Sequence, residues 1–262
     1  MTDDADMTSP QDPDLAVRRW RAAAERPESL LIDGFHALKH TLRFGGEVRQ
    51  VLTADAAGLA VLAEKLAPDV AERILAAATA VPPAVLRELV PRPHPTGVAA
   101  LAVRPDLDAV LDRLAALPRR APVVVLDNPR NLGNIGAVVR LAAGFGATGV
   151  VTTGDVDPWH PGVVRAGAGL HFATNVARLP TDRLPAGPRF VLDPEGDDIR
   201  SVVLPDDALL VFGSERHGVC EELRAGADGL LAIPMRPQVS SFNLATSVGM
   251  GLFHWMSHTR SS

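Results

Sequence analysis

The chain has 262 residues, enough for one large domain or two small ones around a buried core. Apolar residues make up 47% and charged residues 22%, an ordinary globular balance, and every apolar run is broken well short of 18 residues, so no transmembrane helix is expected. The net charge of −5 argues against a uniformly basic RNA-coating surface, and the single cysteine, Cys220, excludes an internal disulfide and a cysteine-based zinc site.

The opening stretch, residues 1–14, is acidic and polar, the opposite of a signal peptide, and reads as a disordered tail on a soluble cytoplasmic protein. Five acids, Asp3, Asp4, Asp6, Asp12 and Asp14, lie in it. Without them the acids number 26 against 26 basic residues, so RNA contacts must come from local patches. Nearly all the basic residues are arginines, Lys39 and Lys65 being the two lysines; arginine forks onto phosphates, but GC-biased coding enriches it too.

From about residue 15 to 103 the pattern alternates. "AVRRWRAAAERP" has helical character, "SLLIDG" reads as a short buried strand, and "FHALKHTLRFG" is a helix stopped by Gly45-Gly46. "VRQVLTA" suits a strand, "AGLAVLAEKLA" a helix, "PPAVLRELV" a helix with proline in its first turn, and "TGVAALAVRP" a closing strand. Residues 104–120 form an amphipathic segment bracketed by proline and arginine, a linker helix. A second α/β series runs over 121–262. "PVVVLD" is a continuous apolar strand of the kind that parallel sheets bury on both faces. "IGAVVRLAAGFG" is a helix, "TGVVTTG", "RFVLD", "ALLVFG" and "GLLAIP" are strands, and "SFNLATSVGMGLFHWMSH" is a long apolar helix. Alternation of this kind predicts a mostly parallel sheet with helices on both faces.

Ligands of open α/β sheets sit beyond the carboxyl ends of the strands, and three such ends here carry unusual residues. The first, "NPRNLGNIGAVVR" (128–140), has glycines three apart, which fits neither a dinucleotide fingerprint nor a P-loop. Asn134 is suited to cap the following helix, Gly136 to clear space for a ligand, and Arg140, four residues on, to share that face. A capped helix with a solvated arginine is the plainer alternative. The second end, "VFGSERHGV" (211–219), offers Gly213, Ser214, Glu215 and Gly218; Glu215 equally suits a helix N-terminal charge. The third, "IPMRPQVSSFN" (233–243), brings Ser240, Ser241 and Asn243 to the start of the last helix, where such residues are most often caps.

Together the three ends resemble the three motifs of the SpoU/TrmH family of RNA methyltransferases, within the SPOUT superfamily. Asn134, Gly136 and Arg140 resemble the first motif, "GSERHG" the second, and "IPM" followed by "SFN" the third; "DPWHPGVVRAGAGLHF" resembles the family's intervening segment. The match covers about 122–258. Residues 15–103 are similar, less specifically, to the ribosomal-protein-L30e-like substrate-binding domain common in the family.

The resemblance implies an α/β domain with a deep trefoil knot, and transfer of a methyl group from S-adenosylmethionine to a ribose 2′-hydroxyl of RNA. It implies that Gly213, Ile233 and Phe242, the last in place of the usual leucine, contact the cofactor. It further implies a catalytic Arg140, Asn134 positioning that arginine or the ribose, Glu215 fixing loop geometry, and Ser241 and Asn243 holding the substrate. Arginine is a poor base, so Arg140 is read as a fork on phosphate that stabilises the developing alkoxide. No metal is implied, and His36 and His40, four apart, read as a solvated or packed pair. A homodimer through the knot domain is expected, with the last helix partly buried in it. An L30e-like domain favours ribosomal over transfer RNA. The rival readings are a catalytically inactive knotted RNA-binding protein, a base methyltransferase, and a small-molecule enzyme with a phosphate loop.

Overall fold

The structure, a computed structural model, describes residues 12–214 and 217–259. It divides into two compact units between Arg104 and Pro105.

The first unit starts with α1 (Pro13–Ala24), capped by Asp12, whose carboxylate accepts the Asp14 amide at 2.9 Å. Residues 12–14 of the expected disordered tail therefore begin an ordered helix; residues 1–11 lie outside the described residues. There follow β1 (Ser29–Asp33), α2 (Phe35–Arg43), β2 (Val48–Thr53), α3 (Ala56–Leu66), α4 (Ala71–Ala77), β3 (Ala78–Ala80), α5 (Pro83–Leu89) and β4 (Val98–Val103). The sheet order is β1-β4-β2-β3, with β4 antiparallel to both neighbours and β2 parallel to β3. In α2 the residues Phe35, Leu38 and Leu42 fall at helical spacing and are buried, whereas Phe44 just beyond is 45% exposed. Trp20, Leu52, Leu86 and Leu101 join helix and sheet in one core. The segments α4 and β3 were not expected: "RILAAATA" is small and apolar throughout, and pairing of residues 78–80 with β2 alone makes their backbone extended.

The second unit contains α6 (Leu107–Ala115), β5 (Val123–Leu126), α7 (Leu132–Phe145), β6 (Gly149–Thr152), α8 (Pro161–Ala166), β7 (Asn175–Arg178), β8 (Arg189–Asp198), β9 (Leu209–Phe212), α9 (Glu221–Ala225), β10 (Gly229–Ala232) and α10 (Leu244–Thr259). Its sheet order is β10-β8-β9-β5-β6-β7, and every neighbouring pair is parallel. The strands β5, β6 and β9 are buried along their whole length, as their unbroken apolar runs require. The chain steps outward from β5 to β6 and β7, crosses to β8, and returns with β9 beside β5. The order thus reverses at the β5–β9 boundary, where the carboxyl ends of such sheets open a crevice. The segment expected as a linker, 104–120, carries α6, and its Val110 and Leu114 are buried against Val123, Val125 and Val211. An amphipathic stripe needs a partner surface, and the sheet supplies it. Among the described residues no helix is long and apolar enough to cross a membrane.

Candidate active site

At the carboxyl ends of β9 and β10, beside the middle of β8, lies a cavity of about 580 Å³. One wall is made by 192–194 of β8 with the ends of β9 and β10, 212–214 and 231–235, and the other by 240–244, which lead into α10. Leu192, Phe212, Leu231, Ile233 and Leu244 make it largely apolar, while Ser214, Ser240, Ser241 and Asn243 supply polar groups. Gly213, Ile233 and Phe242, singled out from the sequence for cofactor contact, all line it, as do Ser241 and Asn243.

Gly213 has a steric reason to be glycine. A Cβ there would run into the backbone of Gly218 and Val219, because the loop doubles back through paired bonds between Ser214 and Gly218 (3.0 and 3.1 Å). Gly218 completes the turn at φ +65°, a left-handed conformation that favours glycine. Phe242 lines the cavity and is 38% exposed, which leaves part of its aromatic surface uncovered.

The first motif is arranged differently from the sequence reading. Asn131, not Asn134, is the N-cap of α7: its side-chain oxygen accepts the Asn134 amide at 3.0 Å. The helix therefore starts three residues earlier than expected, with Asn134 inside its first turn. That placement frees the Asn134 side chain, whose Oδ1 accepts a 3.1 Å hydrogen bond from Asn243 Nδ2. Asn243 in turn caps α10, its Oδ1 accepting the amides of Ala245 (3.0 Å) and Thr246 (3.4 Å). One pair of asparagines so joins the starts of the two helices that carry the first and third motifs. Gly136 does not clear space for a ligand. A Cβ there would stand 2.5 Å from Ala166 Cβ, 2.6 Å from the Val163 carbonyl and 2.7 Å from the Gly167 amide, so the glycine lets α8 close against α7.

Arg140 is exposed on α7 and is not part of the cavity wall. Glu215 lies outside the described residues. The sequence reading missed three supports. Asp127, at the end of β5 and 5% exposed, accepts the Thr153 hydroxyl at 2.6 Å and the Cys220 amide at 2.7 Å, so it holds the loop after β6 and the far end of the 213–220 loop. A buried acid closing an apolar strand was the signal available for it. Asp193, in the middle of β8, is an acidic residue among those that line the cavity. His171 is fully buried beside Trp159, with Nε2 donating to the Pro158 carbonyl at 3.0 Å; burial lowers its pKa to about 4, against smaller opposing effects of that carbonyl and Asp157.

A six-stranded parallel sheet with this order, and a cavity of small-molecule size lined by glycine and serine at the ends of its strands, define an α/β protein with a candidate ligand site. Residues 121–253, just over half of the chain, match the SpoU rRNA Methylase family, and the chain belongs to that family. It is 31% identical over 163 residues to a 23S rRNA (uridine(2479)-2′-O)-methyltransferase of Streptomyces viridochromogenes; the match covers 55% of this chain and spans 57% of that relative's length. A tRNA/rRNA methyltransferase of Synechocystis, itself uncharacterized, is 26% identical over 96% of this chain and 93% of its own. Among solved structures, the SpoU methyltransferase AviRb from Streptomyces viridochromogenes superposes with a TM-score of 0.74 at 25% identity, covering 94% of this chain and 98% of its own. AviRb in complex with AdoMet superposes with a TM-score of 0.72 at 22% identity, covering 94% of this chain and 99% of its own.

Proposed function

We propose that this chain transfers a methyl group from S-adenosylmethionine to a ribose 2′-hydroxyl of RNA, ribosomal RNA in preference to transfer RNA. The observation that carries the reading is the meeting of the motifs. Gly213, Ile233 and Phe242 line one cavity with Asn243, and Asn243 is bonded to Asn134 of the first motif. Family membership, the ribosomal RNA named for the Streptomyces relative, and the AdoMet held by AviRb support the same reading.

The residues suit the cofactor. The apolar strand ends and the ring of Phe242 fit an adenine, the serine hydroxyls and the Asn243 amide fit its polar groups, and Gly213 lets backbone come close to it. When bound, S-adenosylmethionine supplies an electrophilic methyl on a sulfonium sulfur, which keeps the bonding pair as a neutral thioether while the 2′-oxygen takes the methyl and loses its proton. The chain's own residues have to bring that hydroxyl to the cavity and stabilise its oxygen as the proton leaves. Arg140 is assigned the phosphate and the developing alkoxide, its planar fork matching both. Asn134 and Asn243, tied together, are assigned the positioning of the ribose, with Ser241 beside them and Glu215 keeping its assignment to loop geometry. The trefoil knot of the family, a homodimer through the second unit, RNA recognition by an L30e-like first unit, and a cytoplasmic location belong to the same proposal.

The test is to incubate the protein with S-adenosylmethionine labelled in the methyl group and separated ribosomal and transfer RNA pools, and to map the labelled nucleotide. Label on a ribose of ribosomal RNA is expected. Cofactor binding without transfer to any RNA would favour the inactive RNA-binding protein, and label on a base would sink the ribose assignment.

A further inference from the structure

We infer that Asp193 makes the cavity select a positively charged methyl donor over its neutral spent form; the inference rests on the methyl-donor reading above. Among the described residues lining the cavity, Asp193 alone carries a formal charge. It stands in the middle of β8, just past the stretch paired with β9, between Leu192 and Pro194, and its side chain is only 18% exposed. Its orientation is set from two sides: Oδ1 accepts the Glu195 amide at 2.8 Å, and Oδ2 lies 3.0 Å from Arg224 Nε. Arg224 offsets that charge only in part, because the same guanidinium also binds Glu195 Oε2 at 2.5 Å. One cation shared by two carboxylates leaves the trio with one net negative charge. Of the three groups, Asp193 is the one that lines the cavity, so the trio's net charge is felt there.

The two forms of the ligand differ in charge where the methyl is carried. S-adenosylmethionine has a sulfonium, whereas S-adenosylhomocysteine, left after transfer, has a neutral thioether and the same ammonium and carboxylate. A fixed carboxylate beside apolar walls attracts the first more than the second. Its attraction falls away when the methyl leaves, which helps the spent form to depart. The described motif residues that line the cavity, Gly213, Ile233, Phe242, Ser241 and Asn243 among them, carry no charge.

Calorimetry on the full chain with S-adenosylmethionine, S-adenosylhomocysteine and sinefungin, which carries an amine in place of the sulfonium, tests this. In Asp193→Asn the dissociation constants for S-adenosylmethionine and sinefungin are expected to rise about tenfold, and that for S-adenosylhomocysteine less than about threefold. The amide keeps an acceptor for the Glu195 N–H, so the fold should survive, as a thermal melt will show. Arg224→Met, which makes the trio more negative, is expected to keep or widen the preference for the charged forms, and it serves alone if Asp193→Asn does not fold. Equal changes for all three ligands, no change for any, or a preference lost in Arg224→Met would overturn the role of Asp193. A wild-type protein that binds none of the three would overturn the methyl-donor reading itself, a result distinct from altered selectivity.

Discussion

Gly136 and Gly144 stand on the same helix and have opposite reasons to be glycine. At Gly136 an added methyl meets α8 closer than 3 Å on three sides, two of them backbone, so Gly136→Ala is expected to cost about 1–3 kcal/mol in urea unfolding. At Gly144, exposed in the last turn, a Cβ meets nothing within 4 Å, and Gly144→Ala should stabilise by about 0.5–1 kcal/mol. Arg140 differs from both, being exposed; Arg140→Lys should leave the melting temperature unchanged and lower turnover at least about tenfold, since an ammonium cannot fork. Near-normal turnover in that variant would remove the fork from the mechanism. His171 gives a signature in pH. Its folded-state pKa of about 4 lies below the ordinary 6.5, so between these values the unfolded chain binds the extra proton. The group costs nothing above about pH 6.5, and stability falls as the pH drops toward 4, by about 3 kcal/mol in all. His171→Gln should flatten the urea midpoint over that interval relative to wild type, and parallel curves would show that His171 does not titrate there.

At the scale of elements, the site is a set of strand ends tied to one another. Asp127 is the knot of bonds between the loops after β5, β6 and β9. Asp127→Ala leaves the buried Thr153 hydroxyl and the Cys220 amide without their acceptor, a loss of about 1–3 kcal/mol, and should weaken calorimetric binding of S-adenosylmethionine by freeing the 213–220 loop. Asp127→Asn, which keeps an acceptor, should recover part of both. Binding unchanged in Asp127→Ala would mean that the Ser214–Gly218 bridge alone shapes the loop. The helices show how far pattern reaches. The start of α7 was misread because "NLGN" offers two asparagines with equal chemistry, and periodicity alone does not choose between caps three residues apart. The strands β5, β6 and β9 were legible because a continuous apolar run has few other fates; β7, "NVAR", with two polar ends, was not.

For the whole molecule, the last helix leaves Met250 and Phe253, one turn apart, 37% and 60% exposed, with Val203, 69% exposed, on the segment that α10 covers through the His254–Val202 bond. Exposed apolar side chains of this size on α10 and the neighbouring segment suit the proposed dimer. Phe253→Glu should shift the protein from dimer to monomer in sedimentation with little change in the melting temperature of the protomer. A dimer that persists would move the interface elsewhere.

The order of residues by itself determined the class of fold and the two α/β series, while the grouping of Gly213, Ile233, Phe242, Ser241 and Asn243 came from the motifs' resemblance to the SpoU/TrmH family. The fold class and the α/β series follow from local pattern, because apolar period and turn chemistry act over a few residues. Only the tertiary structure decided that Asn131 caps α7 while Asn134 reaches Asn243, that Gly136 serves α8, that Asp127 joins three loops, and that Asp193 lines the cavity. Each of these depends on which strand ends become neighbours in the sheet, and the order β10-β8-β9-β5-β6-β7 brings together residues up to 109 positions apart, which no local pattern encodes.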